Sequence, residues 1–446
     1  MRKRLFGTDG IRGVAGQFPL DARTVHAFGA ALGEWAAGSS PHPEVLVGTD
    51  TRESGPWMAA QVAGGLSRSG VRARYAGLIT TPGVAYLTRN DDFVAGVMIS
   101  ASHNPFYDNG LKVFDHSGFK LPDAEELKLE SAIVRLLDTG LEPFELPLQV
   151  DEGLDRQYLD YLVSLFRRRV TGMRVVMDCA NGAASQLAPE LFRRLGAEVF
   201  AIGTEPDGRN INLDCGALHT AALRAEVLQR RAQLGVAFDG DADRAIFVAP
   251  SGKVVDGDGV LFIAGVALKE ENRLAGDLVV ATVMSNIGLE LAFRERGIRL
   301  LRTAVGDRYV LEEMLKHGAI LGGEQSGHII FRDCSTTGDG LLTALRILDR
   351  VTRTGKTLDE LVADLPAFPQ TLANVRVRSR RPLSEMASVQ GLVQAAEAEF
   401  RGVGRVLVRF SGTEPLVRVM VEGPDQEKVQ FWANKIAAAI AAELDR

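Results

Sequence analysis

Short continuous apolar runs recur along the chain, each followed by a stretch in which apolar residues return every three or four positions. Val45-Leu46-Val47, Val175-Val176-Met177 and Leu278-Val279-Val280 are too short for helices and sit next to small or polar turn residues, so they predict strands buried on both faces. Each passes through a turn (Gly48-Thr49-Asp50, Asp178-Cys179-Ala180-Asn181-Gly182 and Met284-Ser285-Asn286) into an amphipathic helix. The helices run out at Gly70, Gly196 and Gly297, where glycine can take the left-handed conformation that ends a helix, and a second strand follows each. Strands alternating with helices predict parallel α/β sheets, whose ligand sites lie beyond the carboxyl ends of the strands. Repetition alone proves little, since any α/β chain yields such units.

The last stretch has a different pattern. Asn374 to Ser379, Arg405 to Arg409 and Leu416 to Val421 read as strands, and Glu385 to Phe400 and Asp425 to Leu444 as helices. The proline-containing run from Leu365 to Gln370 reads as a linker in front of it. The expected architecture is three related α/β domains (1–150, 151–252 and 253–368) with mixed or parallel sheets, and a smaller α+β domain (369–446), set around a central cleft.

Composition narrows the function. The chain has 446 residues, 46% of them hydrophobic and 24% charged, which suits a soluble multidomain protein. A formal net charge of −6 with no long basic tract argues against nucleic acid, and means that an anionic substrate needs a local positive site. Cys179, Cys215 and Cys334 form no CxxC pair, which suits a reducing compartment. Met1-Arg2-Lys3-Arg4 leads into Gly7-Thr8-Asp9-Gly10 rather than an apolar segment, and Val260 to Leu268 is too short to span a bilayer. A cytoplasmic protein without a membrane partner is expected.

Four loops carry chemistry. Ser100-Ala101-Ser102-His103-Asn104-Pro105 follows the apolar strand Val94 to Ile99, which predicts an exposed serine beside a histidine, a candidate nucleophile, with Lys112 close by. Alone, the same residues also make a plain turn. Asp239-Gly240-Asp241-Ala242-Asp243-Arg244 follows Leu234 to Phe238 and offers three carboxylates to one hard cation, Mg²⁺ or Ca²⁺ rather than zinc. An EF-hand is excluded because Pro250 stands where its glutamate would be. Arg244 can neutralise a phosphoryl oxygen there. In Gly322-Gly323-Glu324-Gln325-Ser326-Gly327-His328, Glu324 and Ser326 can bind sugar hydroxyls, or the loop is a glycine-rich turn. Arg409-Phe410-Ser411-Gly412-Thr413-Glu414-Pro415 with Arg418 can cradle a phosphate dianion, or decorate a sheet edge. Together they point to phosphoryl transfer on a phosphosugar. Neither a Walker loop nor GxGxxG is present, which disfavours a nucleotide-dependent kinase.

With these motifs in this order, the whole chain resembles the α-D-phosphohexomutase superfamily. Phe6-Gly7-Thr8-Asp9-Gly10-Ile11-Arg12-Gly13 is similar to its N-terminal signature, with Arg12 in the active-site position. The resemblance implies that Ser102 carries the catalytic phosphoryl group and that Asp239, Asp241 and Asp243 hold one Mg²⁺ per chain, with the Ser102 phosphate supplying a further oxygen. It also implies that Glu324 and Ser326 bind the sugar, and that Arg409, Ser411, Gly412, Thr413 and Arg418 bind its phosphate. Phe410 replaces the alanine or proline common in that loop. His103, Lys112 and His328 are candidate proton shuttles or ligands, with Arg12 and Arg244 aiding charge stabilisation. Gln325 and Asp307 resemble the glucosamine branch, where the mannose/glucose branch carries methionine and histidine. That branch implies interconversion of glucosamine 6-phosphate and glucosamine 1-phosphate through a phosphoserine and a 1,6-bisphosphate, in amino-sugar precursor synthesis for the cell wall. Mannose or glucose phosphate mutase activity is the alternative, and a silent phosphosugar-binding protein a further one. A homodimer is left open.

Overall fold

Strands with no solvent-facing side are the organising elements: Ala95–Ile99, Leu234–Phe238 and Leu278–Thr282 are buried at every residue, as an apolar run covered by helices on both faces requires. The computed structural model describes residues 5–7, 9–166, 168–379, 381–410 and 416–444.

The first sheet contains β1 (Ile11–Val14), β2 (Glu44–Thr49), β3 (Arg72–Leu78), β4 (Ala95–Ile99) and β5 (Asp108–Asp115), in the order β1-β5-β4-β2-β3. The second contains β6 (Arg174–Asp178), β7 (Glu198–Ile202), β8 (Leu234–Phe238), β9 (Ala245–Val248) and β10 (Val254–Val255), in the order β10-β9-β8-β6-β7. The third contains β11 (Leu278–Thr282), β12 (Arg299–Thr303), β13 (Leu321–Gly323) and β14 (Ile329–Phe331), in the order β12-β11-β13-β14. In the first two, three parallel strands are extended by antiparallel ones, β4 pairing with β5 and β8 with β9. In the third, β13 lies parallel to β11 and antiparallel to β14. The strand order therefore repeats. The loops carrying Ser102, Asp239 and Glu324 each leave the carboxyl end of the equivalent parallel strand and return on its antiparallel neighbour.

The three expected strand–helix–strand units are present, with helices Gly55–Ser67, Ala184–Arg194 and Ile287–Glu295. Gly70, Gly196 and Gly297 have φ of 71°, 93° and 64°, so the glycine endings have the physical reason read from the sequence. A fourth, antiparallel sheet joins β15 (Gln370–Arg376), β16 (Arg405–Phe410) and β17 (Leu416–Glu422) in the order β15-β17-β16, with helices Ala387–Phe400 and Gln426–Leu444. Its first strand begins at Gln370, earlier than expected, because the alternation extends back through Thr371 and Ala373 to pair with Glu422, Val421 and Val419.

By internal contacts the chain divides into two units: the chain up to Val283 with Leu301–Val362, and Met284–Leu300 with Ala363 onwards. Helix Ile287–Glu295 thus belongs with the C-terminal sheet. Within that unit, Asn286 donates to Phe368 O at 2.9 Å and accepts from Phe368 N at 3.2 Å, and Gly288 lies so close to Pro366 O that a Cβ would stand 1.8 Å from it. The proline-containing linker is therefore packed along a helix start.

A buried carboxyl caps helix Gly340–Thr354: Asp339 accepts from Leu342 N at 2.9 Å and from Tyr158 Oη at 2.8 Å. Burial raises its pKa to about 6, against the opposing pull of those two donors. A carboxyl whose folded pKa lies above its unfolded value stabilises the fold fully below the unfolded pKa and loses that contribution as pH rises through the folded one. The wild type should lose about 3 kcal/mol from this group between about pH 4 and 7. Asp339→Asn should lack this component, so thermal midpoints measured across that range should show the variant gaining on the wild type as pH rises.

Candidate active site

Three loops meet within the first unit. Ser102 has φ 52°, a left-handed conformation that costs a non-glycine residue about 1–2 kcal/mol, and Ala242 in the aspartate loop has φ 57°. The Ser102 amide donates to Ser100 Oγ at 2.9 Å. Its hydroxyl donates to Asp239 Oδ2 at 2.5 Å and lies 3.3 Å from His103 Nδ1. The expectation of an exposed serine is corrected: Ser102 is only 1% exposed, because the aspartate loop and Asn212 close over it.

Asp239, Asp241 and Asp243 are all buried, and one carboxylate oxygen from each lies within 4.8 Å of the others. Asp241 Oδ2 accepts from Thr81 Oγ1 at 2.5 Å and from Lys112 Nζ at 2.9 Å. Asp239 Oδ1 accepts from Arg244 N at 3.1 Å. Asp241 Oδ1 and Asp243 Oδ1 are buried without a hydrogen-bond partner among the described residues. Burial, then the charges of Asp243 and Asp241, push the Asp239 carboxyl far above the ordinary range. Asp241 moves the other way: burial opposes its charge, but Lys112 and Thr81 hold it ionised. Crowded carboxylates with orphaned oxygens and no soft donor fit a hard divalent cation.

Of the surrounding cations, Arg12 stands on β1, Lys112 on β5 and Arg244 just before β9. Lys112, 1% exposed, stands 2.9 Å from Asp241, 3.2 Å from Asp9 and 3.6 Å from Asp243. Burial works against its charge, yet these three carboxylates raise its pKa, so it is an ammonium and not a base in this arrangement. Arg12 pairs with Asp9 and donates to Ala101 O at 3.3 Å, the carbonyl just before Ser102. Arg244 Nε lies 4.0 Å from Asp239 and 3.9 Å from Asp243. Burial, then the charges of Arg244 and Arg12, lower the His103 pKa to about 4, so its ring is neutral at neutral pH.

The glycine-rich loop joins the same assembly. Arg244 and His328 form an antiparallel bridge, Ala245 N donates to Gly327 O at 3.1 Å, and Gly257 N donates to Gln325 O at 3.0 Å. Glu324 accepts from Gly306 N at 3.1 Å, Ser326 is exposed, and His328 is buried 3.8 Å from Asp243 and 3.7 Å from Asp307. Asp307 pairs with Lys120, which also pairs with Asp9, so a run of alternating charges links the first and third sheets.

Two groups of residues escaped the sequence reading. Lys120 has no motif to mark it. Arg52, with Asp50, lies in the turn after β2, and Asn212 precedes the second sheet's aspartate loop; both reach Ser102 from far away in sequence. The only hint was Asp50 itself, already recognised as part of a turn.

In the second unit, Arg409 on β16 and Arg418 on β17 are direct cross-strand partners. Burial, then the Arg418 charge, lowers the Arg409 pKa. Like charges placed opposite each other are unfavourable unless an anion joins them. Ser411, Gly412 and Thr413 lie outside the described residues.

Family profiles described as phosphoglucomutase/phosphomannomutase match the chain in order: α/β/α domain I over residues 3–138, domain II over 156–252, domain III over 256–368 and the C-terminal domain over 372–439. A phosphoglucosamine mutase of Solibacter usitatus is 62% identical, with both chains covered completely, and one of Koribacter versatilis is 49% identical, covering 98% of this chain and 96% of its own. The chain belongs to the phosphoglucomutase/phosphomannomutase family. A crystal structure of a family protein from Burkholderia thailandensis matches with a TM-score of 0.81 at 26% identity, over 98% of this chain and 97% of that one. Family members are metal-dependent phosphohexomutases acting on small phosphosugars, and the buried aspartate triad can hold the metal. Among the described residues, no helix is long and apolar enough to cross a membrane.

If the triad holds a cation, that cation should stabilise the fold; at a hundred times its dissociation constant the gain is about 2.7 kcal/mol. Thermal unfolding of the wild type should shift upward with Mg²⁺. Asp239→Asn should abolish that shift, and in chelator should unfold at no lower a temperature than the wild type, because the carboxyl it replaces is already driven toward its neutral form by burial and by its two acidic neighbours, and a neutral amide of the same shape carries no such penalty.

Proposed function

We propose that this protein is a phosphoglucosamine mutase that interconverts glucosamine 6-phosphate and glucosamine 1-phosphate in amino-sugar metabolism. The observation that carries this reading is the contact of the Ser102 hydroxyl with Asp239, which puts a nucleophile inside a cluster of carboxylates suited to a metal. Full-length identity to relatives named phosphoglucosamine mutase supports the choice of sugar.

In this mechanism phosphorylated Ser102 is the donor. Its P–Oγ bond breaks as a bond forms from phosphorus to the C1 oxygen of glucosamine 6-phosphate, and the C1 hydroxyl proton passes to the released Ser102 Oγ, giving the 1,6-bisphosphate. After the sugar reorients, the bond from phosphorus to the C6 oxygen breaks as Ser102 Oγ takes up the 6-phosphoryl group, the serine proton passes to the C6 oxygen, and glucosamine 1-phosphate remains. Bound by Asp239, Asp241 and Asp243, one Mg²⁺ would offset the negative charge of the transferring group. All-oxygen protein donors favour a hard cation, and the choice of Mg²⁺ over Ca²⁺ rests on the resemblance to the phosphohexomutases.

The side chains divide the remaining work. Lys112, held as an ammonium, supplies fixed positive charge beside the triad, and Arg12 and Arg244 offer further donors to phosphoryl oxygens. His103, neutral and 3.3 Å from Ser102 Oγ, can hold a proton at Nδ1 during transfer. Glu324, Ser326 and His328 bind the sugar, and Arg409 and Arg418 bind a phosphate dianion. The 1,6-bisphosphate also serves to prime a Ser102 that has lost its phosphoryl group.

With Mg²⁺ and catalytic bisphosphate supplied, kcat/KM for glucosamine 6-phosphate should exceed that for the glucose and mannose phosphates. Ser102→Ala should fall below about a thousandth of wild-type turnover. Preference for glucose or mannose would move the specificity within the family and leave the mechanism intact. Tight phosphosugar binding with no turnover of any of the three would replace the enzyme by a binding protein.

A further inference from the structure

The left-handed backbone of Ser102 has to be held, and its restraints converge on one buried ion pair. Arg52 and Asp50, both with fully buried side chains, meet at 2.9 Å between Arg52 Nε and Asp50 Oδ2. Asp50 Oδ1 also accepts the Arg52 amide at 3.0 Å, and Asp50 Oδ2 accepts from Ser100 Oγ at 2.6 Å. Ser100 Oγ in turn accepts the amide of Ser102 at 2.9 Å. The amide side of the nucleophile is thus tied to Asp50.

The carbonyl side is tied to Arg52. Its Nη2 donates to Ser102 O at 3.0 Å and to Asn104 O at 2.8 Å, and its Nη1 to Asp108 O at 2.9 Å and to Pro105 O. These carbonyls lie in the loop that carries Ser102 and at the first residue of β5. From the second sheet's side, Asn212 Nδ2 donates to the same two carbonyls, Ser102 O at 2.9 Å and Asn104 O at 3.1 Å. Asn212 is itself fixed, its amide donating to Ala180 O at 2.9 Å. The two carbonyls that bracket His103 are therefore each gripped twice, once by a guanidinium and once by an amide.

We propose that Arg52 and Asn212 are positioning residues for phosphoryl transfer, and that their shared grip on Ser102 O and Asn104 O keeps Ser102 Oγ and His103 Nδ1 aimed at the aspartate triad. The inference rests on the mutase reading above. A guanidinium suits the task because its planar fork carries five donors, whereas an ammonium offers three from one point and cannot span carbonyls spread from Ser102 to Asp108. The second sheet enters through Asn212, so the nucleophile and the metal-binding loop keep their register although they belong to different sheets. Neither residue contacts the reacting atoms, and the effect of losing either should be on rate.

The test compares Arg52→Lys, Asn212→Ala and the double variant by kcat, KM for glucosamine 6-phosphate, and thermal midpoint. Each single variant should lower kcat about tenfold or more, with KM within about threefold of wild type. The double variant should lose less than the product of the two single losses, because both side chains hold the same carbonyls. Free guanidinium ion should restore turnover to Arg52→Gly. Variants that unfold at lower temperature yet keep kcat within twofold of wild type, per folded enzyme, would overturn the proposal. If Arg52→Lys does not fold, Asn212→Ala decides by the same measure. Failure of the mutase reading looks different, since the wild type itself would then turn over no phosphosugar.

Discussion

Three carboxylates brought within 4.8 Å of one another, all buried, set the electrostatic problem that the first unit is built around. Isolated, such a cluster would take up protons, and Asp239 is pushed in that direction by burial and by its two neighbours. The protein answers with cations, one fully buried and two partly so. Lys112 touches Asp241, Asp9 and Asp243; Arg244 lies close to Asp239 and Asp243; Lys120 joins Asp9 to Asp307. These charges come from different sheets, so the same interactions that tame the triad hold the sheets in register. A metal ion would complete this balance without any new protein group.

The repeated strand order explains how the chemistry could be assembled. In each of three sheets a loop departs from the same topological position, and each loop carries different side chains: the Ser102 hydroxyl, the three carboxylates of Asp239, Asp241 and Asp243, or Glu324 and Ser326. One order of four strands recurs in all three sheets, with a further edge strand in the first two, and the loops at the equivalent position carry different side chains. Two of the left-handed non-glycine residues, Ser102 and Ala242, lie where these loops meet, and Ser102 is held there by Arg52 and Asn212 from distant segments.

The local features were legible in the sequence because local patterns determine them. A fully apolar run such as Leu278-Val279-Val280 has few alternatives to a buried strand, and a glycine such as Gly196 at the end of a helical pattern announces its own conformation. The aspartate loop could be read because three carboxylates at alternating positions converge within a single turn. Long-range features could not. Arg52 reaches carbonyls 50 to 56 residues away, and Asn212 reaches Ser102 across 110 residues. No periodicity records such a partnership. The burial of Ser102 was missed for the same reason, since its cover comes from the second sheet. The assignment of Met284–Leu300 to the C-terminal unit depends on where Asn286 and Gly288 meet the linker, again a contact between separated segments.

The account turns on the phosphoryl group travelling by way of Ser102. A single-turnover experiment tests this directly: enzyme carrying isotopically labelled phosphate on Ser102 is mixed with unlabelled glucosamine 6-phosphate and Mg²⁺, and the label is followed by mass spectrometry. The label should leave Ser102 and appear on C1 of the sugar, while the unlabelled 6-phosphoryl group takes its place on the serine. A label that stays on Ser102 while glucosamine 1-phosphate forms would contradict the account.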